Sequence, residues 1–339
     1  MQAGVLLGIL IQDFRKEKPM KTALLTIACF SAISVAGERT PSMARNRIVR
    51  VVTISQDQLG KNDANLTEAT IKRLDEAATF APDIACLPEL FTRGPAESVP
   101  GPVTLRLARW AREHSSYVIF GLKTTSGDRI YNSAILLDRQ GRIIGQYNKI
   151  HPTEGELKEG THPGDLDPPV FETDFGHIGI QICFDVNWWD SWKRLKHKGA
   201  RIVFFPSAFP AARQLSALAL MTQSYVVSST NSRSSRIYNI TGEVLAASGS
   251  YQQWAGAAIP IGKRLFEIDY HASKTREIQR KYGSKVELAW YHEDDWFTLA
   301  SVDPSLTVED LVAEFGLTPL DDYRIRAGKA VEAARVTRR

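Results

Sequence analysis

Cysteine is scarce in this chain. Cys29, Cys86 and Cys183 are the only three in 339 residues, too few for a disulfide framework. There is no CxxC pair and no HExxH, and the seven histidines are scattered, so the sequence offers neither a metal site nor a motif that calls for a cofactor. A phosphate-cradling GxxxxGK[ST] loop is also missing. Neither sign of charge dominates: the net charge is +4, which gives no footprint for nucleic acid. Part of the basic excess falls in residues 324–339, a solvated helix end by composition. No repeat of solenoid length occurs, and no linker divides residues 46–300. With 43% hydrophobic and 24% charged residues, the chain suits a globular protein with a sizeable core.

The first 45 residues read as a leader. Residues 20–36, MKTALLTIACFSAISVA, place a lysine before an apolar run that ends in small residues at 34 and 36. That is a secretory signal pattern, too short for a membrane span, and it predicts export after cleavage near Ala36. The stretch 1–19 in front is awkward for a signal, which makes Met20 a candidate start. The alternative is a cytoplasmic protein beginning at Met43.

Strand and helix patterns then alternate. Residues 47–55 (RIVRVVTIS), 84–87, 117–122 (YVIFGL), 201–206 (RIVFFP) and 225–230 read as buried strands. Residues 65–80, 104–114, 190–198 and 215–223 read as helices, the first with Asn65 in position to cap it. Residues 131–147 form a hairpin about Arg139-Gln140-Gly141, and 236–247 another about Thr241-Gly242. Thr307 followed by Asp310 signals a capped helix inside a C-terminal helical extension, 301–339. Strands alternating with helices and mixed with hairpins predict an α/β fold with mixed sheets.

Residues 175–189, FGHIGIQICFDVNWW, are the most informative stretch. Ile178, Ile180 and Ile182 alternate into a buried strand, and Cys183 stands at its exit, ahead of a Trp-rich helix start. Strand ends are where ligands sit in α/β folds, although a free cysteine is also a common core residue. Two other segments place a reactive side chain directly after a strand: Leu87-Pro88-Glu89 and Tyr147-Asn148-Lys149. Charges beside buried strands are costly unless paired. Converging on Cys183, Glu89 can take the thiol proton and return it to a leaving amine. Lys149 can stabilise negative charge on a tetrahedral intermediate, and the thiolate can form a covalent thioester or thioimidate. His151 reads as a loop-lining residue beside this set. Trp188, Trp189 and Trp192 either line a pocket or pack the helix on the sheet.

The ordered trio of PEL at 88–90, NKIHP at 148–152 and QICFD at 181–185 resembles the carbon–nitrogen hydrolase, or nitrilase, superfamily, over about residues 46–300. The resemblance implies a four-layer α-β-β-α sandwich, a Glu89–Lys149–Cys183 triad and a homodimer or higher homo-oligomer. It also implies a second glutamate after the lysine, for which Glu156 and Glu159 are both candidates and Glu156 is favoured. Phe184 would contribute its backbone N–H to the anion site. The implied activity is hydrolysis of a small-molecule amide or N-carbamoyl group, with no membrane association of the mature chain. Cys-Phe-Asp rather than Cys-Trp-Glu at the nucleophile is closer to the amidase and carbamoylase branches. The alternatives are a nitrilase in the narrow sense, a catalytically silent scaffold, and a glutaminase domain serving a partner.

Overall fold

The computed structural model describes residues 48–60 and 65–337. The candidate signal segment 20–36 and the start at Met43 lie outside the described residues.

The alternation within single strands sets the architecture. Strand β1 (Ile48–Ile54) buries Val49 and Val51 on one side and Val52 and Ile54 on the other. A strand buried on both faces needs cover on both. Helix α1 (Leu66–Ala77) follows, then β2 (Ile84–Cys86), α2 (Pro102–His114) and β3 (Tyr117–Ser126). The two helices are the crossovers that let β1, β2 and β3 run parallel. Ile71 and Leu74 of α1 and Leu107 and Trp110 of α2 cover Val52, Ile54 and Phe120. Each such side chain contributes about 1.5–3 kcal/mol when fully buried. Hairpin strands β4 (Arg129–Leu137) and β5 (Ile143–Asn148) extend the sheet antiparallel.

A one-turn helix α3 (Glu154–Lys158) leads to β6 (Val170–Thr173) and β7 (Gly176–Ile180). The plan then repeats through α4 (Trp189–His197), β8 (Ile202–Ser207), α5 (Ala212–Thr222) and β9 (Tyr225–Thr230), with β7, β8 and β9 parallel. Next come β10 (Arg236–Tyr238), β11 (Val244–Ala247) and β12 (Trp254–Pro260). The first sheet has the order β12-β1-β2-β3-β4-β5 and the second β11-β10-β9-β8-β7-β6. Val51, Ile119 and Leu136 of the first sheet share one core with Ile180, Phe204 and Val227 of the second. Trp192, Leu195 and Leu215 cover the outer face of the second sheet against Val203 and Phe205. The result is the four-layer α-β-β-α sandwich with mixed sheets. The sheets are pinned where β1 meets β9: Thr53 Oγ1 donates to Ser228 O at 2.6 Å, and Ser229 Oγ donates to Ile54 O at 2.6 Å and Cys86 O at 3.0 Å.

Two features add to the sequence reading. A 3-10 turn, Cys183–Asn187, fills the interval between β7 and the Trp-rich helix α4. Residues 254–301, which the sequence patterns leave unassigned, hold β12, β13 (Arg264–Glu267), α6 (Ala272–Tyr282), β14 (Val286–Tyr291) and β15 (Trp296–Ser301). Strands β13, β15 and β14 form a third, antiparallel sheet whose core includes Phe266, Ile278, Phe297 and Leu299. Helix α7 (Val308–Phe315), with the Thr307–Asp310 capping box, adds Leu311 to that core, and α8 (Leu320–Thr337) ends the described chain. Among the described residues no helix is long and apolar enough to cross a membrane.

Candidate active site

Three strand ends supply the site. Beyond β2, Leu87 N donates to Ile119 O (2.8 Å), Gly121 N to Pro88 O (3.2 Å) and Phe91 N to Gly121 O (3.1 Å), so the segment bearing Glu89 is clamped along β3. The approach is close enough that a Cβ at Gly121 would lie 2.6 Å from Glu89 Cα. Beyond β5, Lys149 N donates to Asn132 O and Gly164 N donates to Lys149 O, both at 2.8 Å. After Lys149 the chain turns into α3, where Thr153 and Glu156 form a reciprocal capping box. The T-x-x-E signature at 153–156 is the sequence signal that singles out Glu156.

These segments bring four polar side chains together. Lys149 is 1% exposed and donates to Glu89 Oε1 at 2.9 Å and Glu156 Oε2 at 2.8 Å. Asn132, on β4, donates from Nδ2 to Glu89 Oε1 and to Glu156 Oε1, both at 2.7 Å. Burial alone would lower the Lys149 ammonium, but Glu89, Cys183 and Glu156 outweigh it and hold the group above its usual range. Burial pushes the Glu156 carboxyl up, and Lys149, Thr153 and Asn132 more than reverse this, leaving it below the usual carboxylate range. Asn231 Nδ2 donates to Glu89 O at 3.0 Å and anchors the backbone of that residue. Glu159 is exposed at the end of α3 and stands apart from the cluster.

Cys183 opens the 3-10 turn with φ +46°, in the left-handed region that costs a side-chain-bearing residue roughly 1–2 kcal/mol. Its thiol is pushed up to about 12, first by burial and then by the charge of Glu89, with Lys149 and the Ala208 backbone N–H opposing. It therefore rests protonated next to a base. Glu89 Oε2 is buried and closes no well-formed hydrogen bond, although the thiol lies near enough to feel the carboxylate. Cys86 differs: it is fully buried in extended strand, and burial sends its thiol well above the usual range.

Asp185, two residues on, is completely buried and fully engaged by its neighbours. Its carboxylate accepts from Tyr147 Oη (2.7 Å), His151 N (2.8 Å) and Ile182 N (3.0 Å), and meets His151 Nδ1 at 3.0 Å. It thereby braces the segment after Lys149 against the turn that carries Cys183. The His151 ring is held by Asp185 and stacks on Trp188 at 3.9 Å between centroids, which suits a loop-lining residue. Phe184 meets Trp188 edge-on at 5.0 Å. Trp188 is 37% exposed at the start of α4, whereas Trp192 is fully buried in the helix–sheet core. Sequence reasoning passed over Asn132, and it used Asp185 as a marker of reaction type without its bracing role. Their signals were a polar Asn-Ser pair inside an apolar strand and a charge two residues past the cysteine.

Among the described residues no group of three or more His, Cys, Asp or Glu could hold a metal ion. The site is a buried thiol, a general-base candidate and an ammonium, suited to attack on an electrophilic carbon. A family model for carbon–nitrogen hydrolases matches residues 49–261. A nitrilase from Pyrococcus abyssi is 32% identical in an alignment 217 positions long that covers 59% of this chain and 82% of that protein. An omega-amidase from Xenopus tropicalis is 29% identical in an alignment 231 positions long that covers 58% of this chain and 83% of that one. The fold also matches a solved amidase variant from Nesterenkonia sp. AN1, which carries the acetamide moiety of fluoroacetamide covalently added at its active-site cysteine. That match has a TM-score of 0.55 and 17% identity, and covers 70% of this chain and 98% of that one.

Proposed function

The chain belongs to the carbon–nitrogen hydrolase family, and from that premise we propose that it hydrolyses a small-molecule amide or N-carbamoyl bond through a thioester on Cys183. One observation carries the reading: the Lys149 ammonium is held between Glu89 and Glu156 at 2.9 and 2.8 Å, electrostatically coupled to Cys183. An ammonium has three donors, and two are engaged by the glutamates. The third is free for an oxyanion.

Glu89 takes the Cys183 proton as sulfur bonds to the carbonyl carbon, and the carbonyl π pair moves onto oxygen. Lys149, with the Phe184 backbone N–H, stabilises that oxyanion. Glu89 then protonates the nitrogen, the C–N bond breaks and the amine leaves. Water adds to the thioester as Glu89 takes its proton. The C–S bond breaks, the acid is released, and the proton returns to Cys183. Glu156 keeps Lys149 in place throughout, and Trp188 and Phe184 form the half-exposed wall beside the nucleophile.

The nitrilase and amidase names among the relatives do not separate amide from nitrile chemistry; the Cys183-Phe184-Asp185 sequence at the nucleophile, where Phe and Asp stand in place of Trp and Glu, supports the amide. The test is a matched pair, a primary amide and a nitrile with the same side chain, assayed for ammonia release with wild type and with Cys183→Ala as blank. Intact-mass spectrometry would look for an acyl adduct on Cys183. Turnover of the amide, an adduct in wild type and neither in Cys183→Ala is expected. Full activity of Cys183→Ala would sink the mechanism, and a nitrile turned over more efficiently than its amide would overturn the reaction type.

A further inference from the structure

Asn132 is 2% exposed, and its single amide nitrogen lies 2.7 Å from one oxygen of each glutamate. That nitrogen has two hydrogens, and both are engaged. The amide has one workable orientation, because its oxygen in the same place would face two carboxylate oxygens. Asn132 Oδ1 is buried and without a partner, so the side chain is held by its nitrogen end alone. Glu156 then accepts at both oxygens: Oε1 from Asn132, and Oε2 from Lys149 and from Thr153 N, each at 2.8 Å. A carboxylate so supplied with donors is held ionised. Glu89 accepts from Asn132 and Lys149 at the same oxygen, Oε1, and its Oε2 makes no hydrogen bond. Of the four carboxylate oxygens in the cluster, one is unengaged, and it belongs to the residue whose charge Cys183 feels.

We infer that Asn132 is a positioning residue that routes the proton: by engaging one oxygen of each glutamate, it leaves Glu89 Oε2 as the sole acceptor for the Cys183 proton and keeps Glu156 anionic while that proton moves. This rests on Cys183 and Glu89 acting as nucleophile and base. The titratable groups facing Glu89 are Lys149 from the end of β5, Glu156 from α3 and Cys183 from the turn after β7. Two consequences separate routing from a merely structural role. Only one carboxylate controls the rate at which Cys183 reacts. And replacing the amide by an isosteric third carboxylate draws a proton into the cluster, which then competes with the Cys183 proton for the carboxylate oxygens.

The experiment is alkylation of the full-length protein by iodoacetamide, with labelling at Cys183 followed by mass spectrometry from pH 4 to pH 9. In wild type the logarithm of the rate should rise with unit slope on the acid limb and then level off. In Asn132→Asp the limb should move up by at least about one pH unit, which is a tenfold or greater loss of rate below the plateau. Asn132→Ala should move it in the same direction. Circular dichroism checks that each variant is folded. An acid limb of slope two in wild type would mean that both glutamates titrate and would overturn the inference whether or not any variant folds. An unchanged limb in folded Asn132→Asp would overturn it too. If Cys183 of wild type takes no label, the proposed nucleophile itself fails, a different result from either of these.

Discussion

Lys149 and Asp185 are each the hub of a buried polar cluster, far apart in the chain but brought close by the fold, and they are wired in opposite senses. Around Lys149, two carboxylates share one ammonium and one amide, and one carboxylate oxygen is left over. Around Asp185, one carboxylate meets a phenol, an imidazole and two backbone N–H groups, and both of its oxygens are engaged. The Tyr147 phenol is held well above its usual range, first by burial and then by the Asp185 charge, so it stays a neutral donor. A fully supplied carboxylate is a brace, while one with an unengaged oxygen next to a thiol can move a proton. The contrast also bears on the residue two past the cysteine. Asp185 sets the spacing between the Lys149 and Cys183 segments, so its identity governs geometry before it governs substrate.

The largest effect should come from Lys149→Ala, which leaves two carboxylates buried without their cation. Turnover should vanish, and stability should fall by about 3–5 kcal/mol, the usual consequence of breaking a buried pair. Urea unfolding reads the second quantity. An inactive variant of wild-type stability would show that the cluster does not hold the fold. Next is Glu89→Gln, which keeps hydrogen bonding but cannot accept a proton. Its kcat should drop by at least ~100-fold with the urea midpoint little changed, and a small drop would remove the contrast between base and brace. Asp185→Asn should show the reverse balance: a stability loss of about 1.5–3 kcal/mol, the scale of hydrogen bonds to a charged group, with a smaller loss of turnover than Glu89→Gln. Turnover lost as fully as in Glu89→Gln, at unchanged stability, would place Asp185 in the chemistry.

The smallest effect is in the pH dependence of stability. Glu156 is held below its ordinary value of 4.5, so the folded chain binds its proton less readily than the unfolded chain does. Its contribution is therefore fully present above about pH 4.5 and is lost as pH falls through the folded value. Urea midpoints in acid should fall more steeply for wild type than for Glu156→Gln. Parallel curves would show that Glu156 is not the anion that Lys149 stabilises.

Much of this arrangement was legible in the sequence because each reactive residue follows a short apolar run. Ile178, Ile180 and Ile182 announce the strand before Cys183, and Ile84 and Leu87 do the same for Glu89. The Asn132 contacts were not legible, because they depend on the register of β4 against β5, where Ser133 pairs with Asn148, and on the return of α3 to that edge. The Asp185 brace depends on the 3-10 turn, whose five residues carry no strong local signature. The third sheet was hidden because β13 is four residues long and β14 is mostly half-exposed, so neither shows a buried strand's pattern. Glu156 and Glu159 were separable in principle, since only Glu156 completes a capping box with Thr153.

Gly121 touches no reacting group, yet its missing side chain is what allows β3 to run directly beneath Glu89. The single hydrogen at that position acts as a shim between the scaffold and the base. A substitution series at 121 is therefore a ruler. Each added atom must displace the Pro88–Leu90 backbone that carries Glu89, while leaving the charge and chemical identity of every member of the cluster unchanged. The decline of rate along such a series would calibrate how sharply turnover depends on the placement of Glu89, a quantity that altering Glu89, Lys149 or Cys183 themselves cannot isolate.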